Sequence, residues 1–124
     1  MRTLGAAMTS VGRGAVEIRF PFSDELGQQN GFMHAGAITS IMDSACGYAA
    51  LSVAPEGAEV LSVEFKVNLL SPAVGDEFAA RASVKRAGKT ISVAAADAFS
   101  VRNGEEKVIA TMLATMMYVR VAET

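Results

Sequence analysis

Val16, Ile18, Phe20 and Phe22 interleave with Glu17, Arg19 and Pro21, the two-residue period of a strand with one buried face. A polar, glycine-containing loop follows from Ser23 to Gly31. The period then lengthens. From about His34 to Val53, the apolar residues Ile38, Ile41, Met42, Ala45 and Ala49 recur at three- and four-residue spacings. That spacing makes one stripe along a helix, and Pro55, Glu56 and Gly57 stop it. Alternation then returns: Leu61, Val63, Phe65, Val67 and Leu69 against Ser62, Glu64, Lys66 and Asn68, as far as Ser71 and Pro72. It sets Ser62 on one face with Glu64 and Lys66. Further strands are expected over Asp76–Ala87, Ile91–Arg102 and Lys107–Val121. The turns between them fall at Arg86–Lys89 and at Asn103-Gly104, the strongest short hairpin signal.

The last strand breaks the alternation. Val108, Ala110, Met112 and Met116 fall on one face and Ile109, Leu113 and Met117 on the other. A strand apolar on both sides is covered on both sides; the helix supplies one layer and a second subunit the other. The order of strand, long helix and four strands predicts an α+β fold, an antiparallel sheet wrapped around one central helix. Such a layout names no function. With 124 residues the chain is expected to form one domain, 1–124, with residues 1–13 loosely ordered.

Composition sharpens the expectation of a partner. Hydrophobic residues make up 51% of the chain and the mean hydropathy is +0.31. Asp43, Glu56 and Glu64 interrupt the apolar stretches, so none approaches the ~20 residues of a membrane span. The opening Met1-Arg2-Thr3-Leu4-Gly5-Ala6-Ala7-Met8 lacks the long apolar segment of a secretory signal. The apolar surplus therefore points to a homo-oligomer, a dimer or a dimer of dimers, rather than to a membrane. One cysteine, Cys46, cannot form an internal disulfide and suits a reducing, cytoplasmic compartment. A net charge of −2 with dispersed Lys and Arg gives no nucleic-acid footprint.

The chemistry concentrates between Gln28 and Asp43. Asp43 sits well inside the helix, away from the ends where capping or the macrodipole favours a carboxylate. Its one-turn neighbours Gly36, Thr39, Ser40, Cys46, Gly47 and Ala50 are small, and none is a cation. His34 is the only histidine. At ~100° and ~1.5 Å per residue it falls on the opposite side of a continuous helix from Asp43, ~13 Å along the axis. A dyad within one chain is disfavoured: His34 precedes the helix proper, bonds backbone, or serves a site on a neighbouring subunit. Gly31 and Gly36 bracket the helix start, whose first-turn N–H groups have no intrahelical partner and can hold a developing oxyanion. Cys46 has no nearby cation to lower its pKa and reads as a small buried residue. One His and one Cys do not make a metal site. Arg86 and Lys89 around Gly88 form a modest basic patch able to meet a phosphate.

With these residues in view, the chain resembles the hotdog-fold thioesterases of the phenylacetic-acid-degradation type, from about Gly14 to Val119. The resemblance rests on Gly31, His34, Ala35, Gly36 and Asp43 at the family's spacing. It rests also on Ser62-Val63-Glu64 leading to Asn68-Leu69-Leu70-Ser71-Pro72-Ala73, and on Gly88-Lys89-Thr90 in the next hairpin. It implies hydrolysis of an acyl-CoA thioester, with Asp43 as nucleophile or general base and with Gln28 and the Ala35 N–H polarising the carbonyl. One branch of the family carries Asn at the Gln28 position. The 4-hydroxybenzoyl-CoA branch carries Gln with a helical Glu, so this chain combines Gln with Asp. Ala35 stands where a His-Gly-Gly run has its first glycine after the histidine. The resemblance also implies that Ser62 orients water, that His34 belongs to the site, and that Gly36, Ser71, Arg86, Gly88, Lys89 and Thr90 meet the substrate. Arg86 and Lys89 would take the CoA phosphates. The site would lie between subunits, with the acid from one chain and the amide and N–H from the other. No cofactor or metal is implied, CoA being part of the substrate. A dehydratase or hydratase on the same fold and a non-catalytic acyl-CoA-binding protein are the rival readings.

Overall fold

The computed structural model describes residues 6–22 and 33–120. It contains six strands, β1 (Ala7–Gly12), β2 (Ala15–Pro21), β3 (Ala58–Leu69), β4 (Glu77–Ala87), β5 (Ile91–Arg102) and β6 (Glu105–Arg120), and one helix, α1 (Ala35–Leu51). The strands form one antiparallel sheet in the order β1-β2-β4-β5-β6-β3, and α1 packs on a single face of it.

That packing is close because both surfaces are built of small residues. The sheet presents Ala80, Ala82, Ala94, Ala96, Ala98, Ala110 and Ala114, all buried, and the helix answers with Ala37, Ala45, Ala49 and Ala50. Ile38, Ile41 and Met42 fill the space between, so the apolar stripe expected of the helix is the buried stripe. Phe20 and Phe78 stack with centroids 5.4 Å apart at one side of the core. Buried polar groups are paired: the Tyr118 hydroxyl donates to the Ala50 carbonyl at 2.9 Å and lies 2.6 Å from Ser92 Oγ. This links the last helical turn to β5 and β6. The helix ends at Leu51, two residues short of the expected Val53, and Ser52 caps it. The Ser52 hydroxyl donates to the Ala49 carbonyl and accepts from the Gly14 N–H, both at 2.7 Å.

Three further differences from the sequence reading have physical causes. Residues 1–13 were expected to be loosely ordered, yet Ala7–Gly12 pairs with β2. All six residues of this edge strand are exposed, so no apolar alternation marked it. Gly14, at φ 77°, supplies the conformation its turn needs. Second, Ile109 was assigned to the face of Leu113 and Met117. The ladder of β5 on β6 shifts where Ala98 pairs Ala110 and Phe99 pairs Val108. The extra residue, Ile109, turns inward beside Ala110, and Val108 is left 41% exposed. Third, β3 shifts register between Ser62, opposite Met116, and Glu64, opposite Thr115. A bulge at Val63 therefore places Ser62 on the helix side, apart from Glu64 and Lys66. A single inserted residue reverses the phase of everything beyond it.

The outer face divides into a charged end and an apolar end. Over β2, β4 and the start of β6, Arg19 and Arg81 interlock with Glu17, Glu77 and Glu106, and the Arg81 guanidinium lies 4.7 Å from the Phe99 ring centre. Desolvation pushes the Glu17 carboxyl up, but hydrogen bonds from Arg19, Arg81 and Thr9 outweigh it and hold its pKa down at about 2. At the other end of the same face, Leu61, Met117 and Ile91 form one row across β3, β6 and β5, exposed by 54%, 38% and 47%. Nothing among the described residues covers that row. Among the described residues no helix is long and apolar enough to cross a membrane.

Candidate active site

The site is assembled around the two ends of a short stretch of helix. His34 is the N-cap of α1, at φ −63° and ψ 133°, and its Nδ1 accepts the Gly36 N–H at 2.9 Å. The His34 carbonyl accepts from the N–H groups of Ala37 and Ile38. His34 thus precedes the helix proper and bonds backbone. Gly36 is small because a Cβ there would stand 3.0 Å from the His34 ring. The Met33 N–H donates to the Ala73 carbonyl at 2.8 Å, tying the helix start to the segment after β3. Of the first-turn donors, the Ala35 N–H has no acceptor among the described residues. Ala35 and Ser71 line one groove of about 460 Å³. Gln28 and Gly31 lie outside the described residues.

Two turns on, Asp43 is half-buried in a second cleft, about 440 Å³, lined also by Gly47, Tyr48, Leu51, Glu59 and Ser62. The Ser62 hydroxyl donates to Asp43 Oδ1 at 2.8 Å. The bulge at Val63 makes this bond possible, since unbroken alternation along β3 would have kept Ser62 with Glu64 and Lys66. Among the described residues no Lys or Arg forms an ion pair with Asp43. Its Oδ2 has no hydrogen-bond donor among the described residues. A Cβ on Gly47 would meet nothing within 4 Å, so the cleft floor beside the carboxylate is open. Glu59 and Tyr48 were not anticipated; the Ser44–Tyr48 helical spacing was the available signal for the second. Cys46 is fully buried, and burial, with the Asp43 charge adding to it, pushes its thiol up to about 12. It is no nucleophile.

Ala35 and Asp43 are separated along one helix by ~12 Å at ~1.5 Å per residue and line different clefts. One chain does not bring them together. The β4–β5 hairpin is a third region. The Gly88 N–H donates to the Ile91 carbonyl at 2.9 Å, and a Cβ on Gly88 would stand 2.5 Å from that oxygen, so the turn requires glycine. The Thr90 carbonyl accepts from the Tyr118 N–H at 2.7 Å. Lys89 lines a cleft of about 310 Å³ with Pro55, Ala58 and Arg120. Arg86 does not line it; Arg86 pairs with Val93, whose partner on β6 is Thr115. Arg120 is a cation that the sequence reading left out, because only the register of β6 on β5, continued by the Tyr118–Thr90 bond, brings it to the cleft of Lys89. Among the described residues no three His, Cys, Asp or Glu side chains converge on a possible metal position.

One long helix packed against one face of an antiparallel sheet is the hotdog architecture. The sequence profile of the thioesterase superfamily matches residues 30–107, more than half of the chain, and the protein belongs to that superfamily. A solved thioesterase family protein from Silicibacter pomeroyi is 51% identical, with a TM-score of 0.95 over 98% of this chain and 89% of that one. The PaaI protein of the Escherichia coli phenylacetic acid degradation operon shares the fold, with a TM-score of 0.83 at 21% identity over 99% of this chain and 84% of that one. A Halobacterium salinarum protein provisionally named an esterase is 34% identical over 96 residues, 73% of this chain. The chain spans 63% of that relative's length.

Proposed function

We propose that the protein hydrolyses acyl-CoA thioesters to the free acid and CoA. The observation that carries the reading is the Asp43 carboxylate, oriented through Oδ1 by Ser62, without a cation partner among the described residues and open to a cleft through Oδ2. Oδ2 either attacks the thioester carbon or removes a proton from a water that does. In the first route the CoA thiolate leaves an acyl-aspartyl anhydride, which water opens; in the second, water adds directly and the thiolate leaves the tetrahedral intermediate. Both routes put negative charge on the carbonyl oxygen. The Ala35 N–H, at a helix N-terminus and without an acceptor among the described residues, suits that oxygen, with the Gln28 amide as second donor.

Because Ala35 and Asp43 of one chain lie apart, the reading requires two chains. Ala35 and Gln28 of one subunit face Asp43 of the partner subunit. The exposed row of Leu61, Met117 and Ile91 supports an oligomer, since contiguous apolar surface is buried in association. Lys89, with Arg120 beside it, is the proposed grip on CoA phosphates; Arg86 would have to act from a different face. The test is thiol release from a panel of acyl-CoAs by wild type and Asp43→Asn. The asparagine keeps the shape and removes the anion, so turnover should fall at least a hundredfold while acyl-CoA binding persists. Near wild-type hydrolysis by the variant would refute the role of Asp43, and binding without turnover by the wild type would leave a binding protein.

A further inference from the structure

The two clefts beside the helix differ in chemistry. The Asp43 cleft is lined by two carboxylates, a phenol and two serines. The groove at the helix start is walled by Met33, Ile38, Leu69, Leu70, Ile109 and Ala110, and no charged side chain lines it among the described residues. Leu69 and Leu70, at the end of an edge strand, are 57% and 58% exposed. Such apolar surface around a concavity is the usual mark of a ligand groove. Ala35, whose N–H has no acceptor among the described residues, lines the same groove.

A thioester carbonyl has two substituents. One leads through sulfur to the pantetheine arm, whose amides need hydrogen-bond partners when desolvated. The other is the acyl group. Apart from Ser71 the side chains walling the groove are apolar, so they suit the acyl group and not the arm. We infer that this groove holds the acyl chain and that the preferred substrates are thioesters of neutral, apolar acids, with Leu69 and Ile38 setting the preference. The inference rests on the proposed reception of the carbonyl by the Ala35 N–H. Acyl groups ending in a carboxylate are disfavoured, because no cation among the described residues lines the groove to meet a desolvated anion.

The test measures kcat/KM for a straight-chain saturated acyl-CoA series beginning at acetyl, and the Kd of the same series for Asp43→Asn. Each added methylene should improve both by about fourfold until the groove is full. Succinyl- and glutaryl-CoA should bind more weakly than butyryl- and valeryl-CoA. Leu69→Asp places a carboxylate on the outer wall and should flatten the chain-length slope; Leu69→Asn is a second, uncharged lesion at the same exposed position should the aspartate disturb folding. A series flat both in wild-type kcat/KM and in Asp43→Asn Kd overturns the inference and leaves hydrolysis standing. A Kd that falls along the series with no turnover of any CoA ester supports the groove and overturns the hydrolytic reading instead. An unchanged slope in folded Leu69 variants puts the acyl chain elsewhere and overturns the inference.

Discussion

Replacing Ala35 by proline deletes one backbone N–H and leaves the rest of the helix start in place. Ala35 is the first residue of α1, the position where proline is best tolerated because its ring pre-sets a helical φ. The residue before a proline must avoid the helical region, and His34 already stands at φ −63° and ψ 133°. The deleted N–H has no acceptor among the described residues, so no described hydrogen bond is lost. Folding stability should therefore stay within about 1 kcal/mol of the wild type. Catalysis should not. One preorganised oxyanion donor is worth roughly 10²–10³ in kcat, or about 2.7–4 kcal/mol of transition-state stabilisation. Thiol release under saturating acyl-CoA reads the kcat, and a thermal melt of the same sample reads the fold. Ala35→Gly, which keeps the N–H, serves as the control and should retain most of the activity. A proline variant that melts like the wild type and turns over within about threefold of it would refute the assignment of that N–H to the carbonyl.

Two further outcomes follow from single contacts. Ser62→Ala removes the donor on Asp43 Oδ1 and should lower kcat by roughly tenfold to a hundredfold, the range for a hydrogen bond to a charged group, while the exposed position of Ser62 keeps the melting temperature nearly constant. The outer ionic network should make the fold acid-sensitive. The Glu17 carboxyl is held at about 2 against an ordinary 4.5, so its contribution is complete above about pH 4.5 and is lost as pH falls toward 2. Melting temperature against pH should drop more shallowly over that window in Glu17→Gln than in wild type, and parallel curves would contradict the network's role.

The sequence pattern carried the helix, its buried stripe and the long strands because each has one face against the core. It failed where that condition failed. β1 is exposed on both faces, so nothing alternates in Ala7–Gly12. The bulges at Val63 and Ile109 each insert one residue, and a period-two reading has no way to register an insertion that the partner strand creates. The same limit hid part of the site. Asp43 stood out as a carboxylate among small residues without a cation, and His34 as a residue that a continuous helix would misplace. The Ser62–Asp43 bond was invisible because phase put Ser62 on the wrong face. Arg120 and Lys89 share a cleft only through the pairing of β6 with β5 and of Tyr118 with Thr90. Groups joined across strands leave no local signal.

The proposed site is completed by two chains, and subunit mixing tests it most directly. Asp43→Asn and Ala35→Pro chains are each purified as inactive homo-oligomers, mixed, and allowed to exchange. In a hybrid two-fold dimer one site carries both lesions and the other carries neither. Random exchange makes about half of the dimers hybrid, so about a quarter of the wild-type thiol-release rate should return. If hybrids verified by mass stay as inactive as their parents, each chain builds its own site and the shared site is refuted.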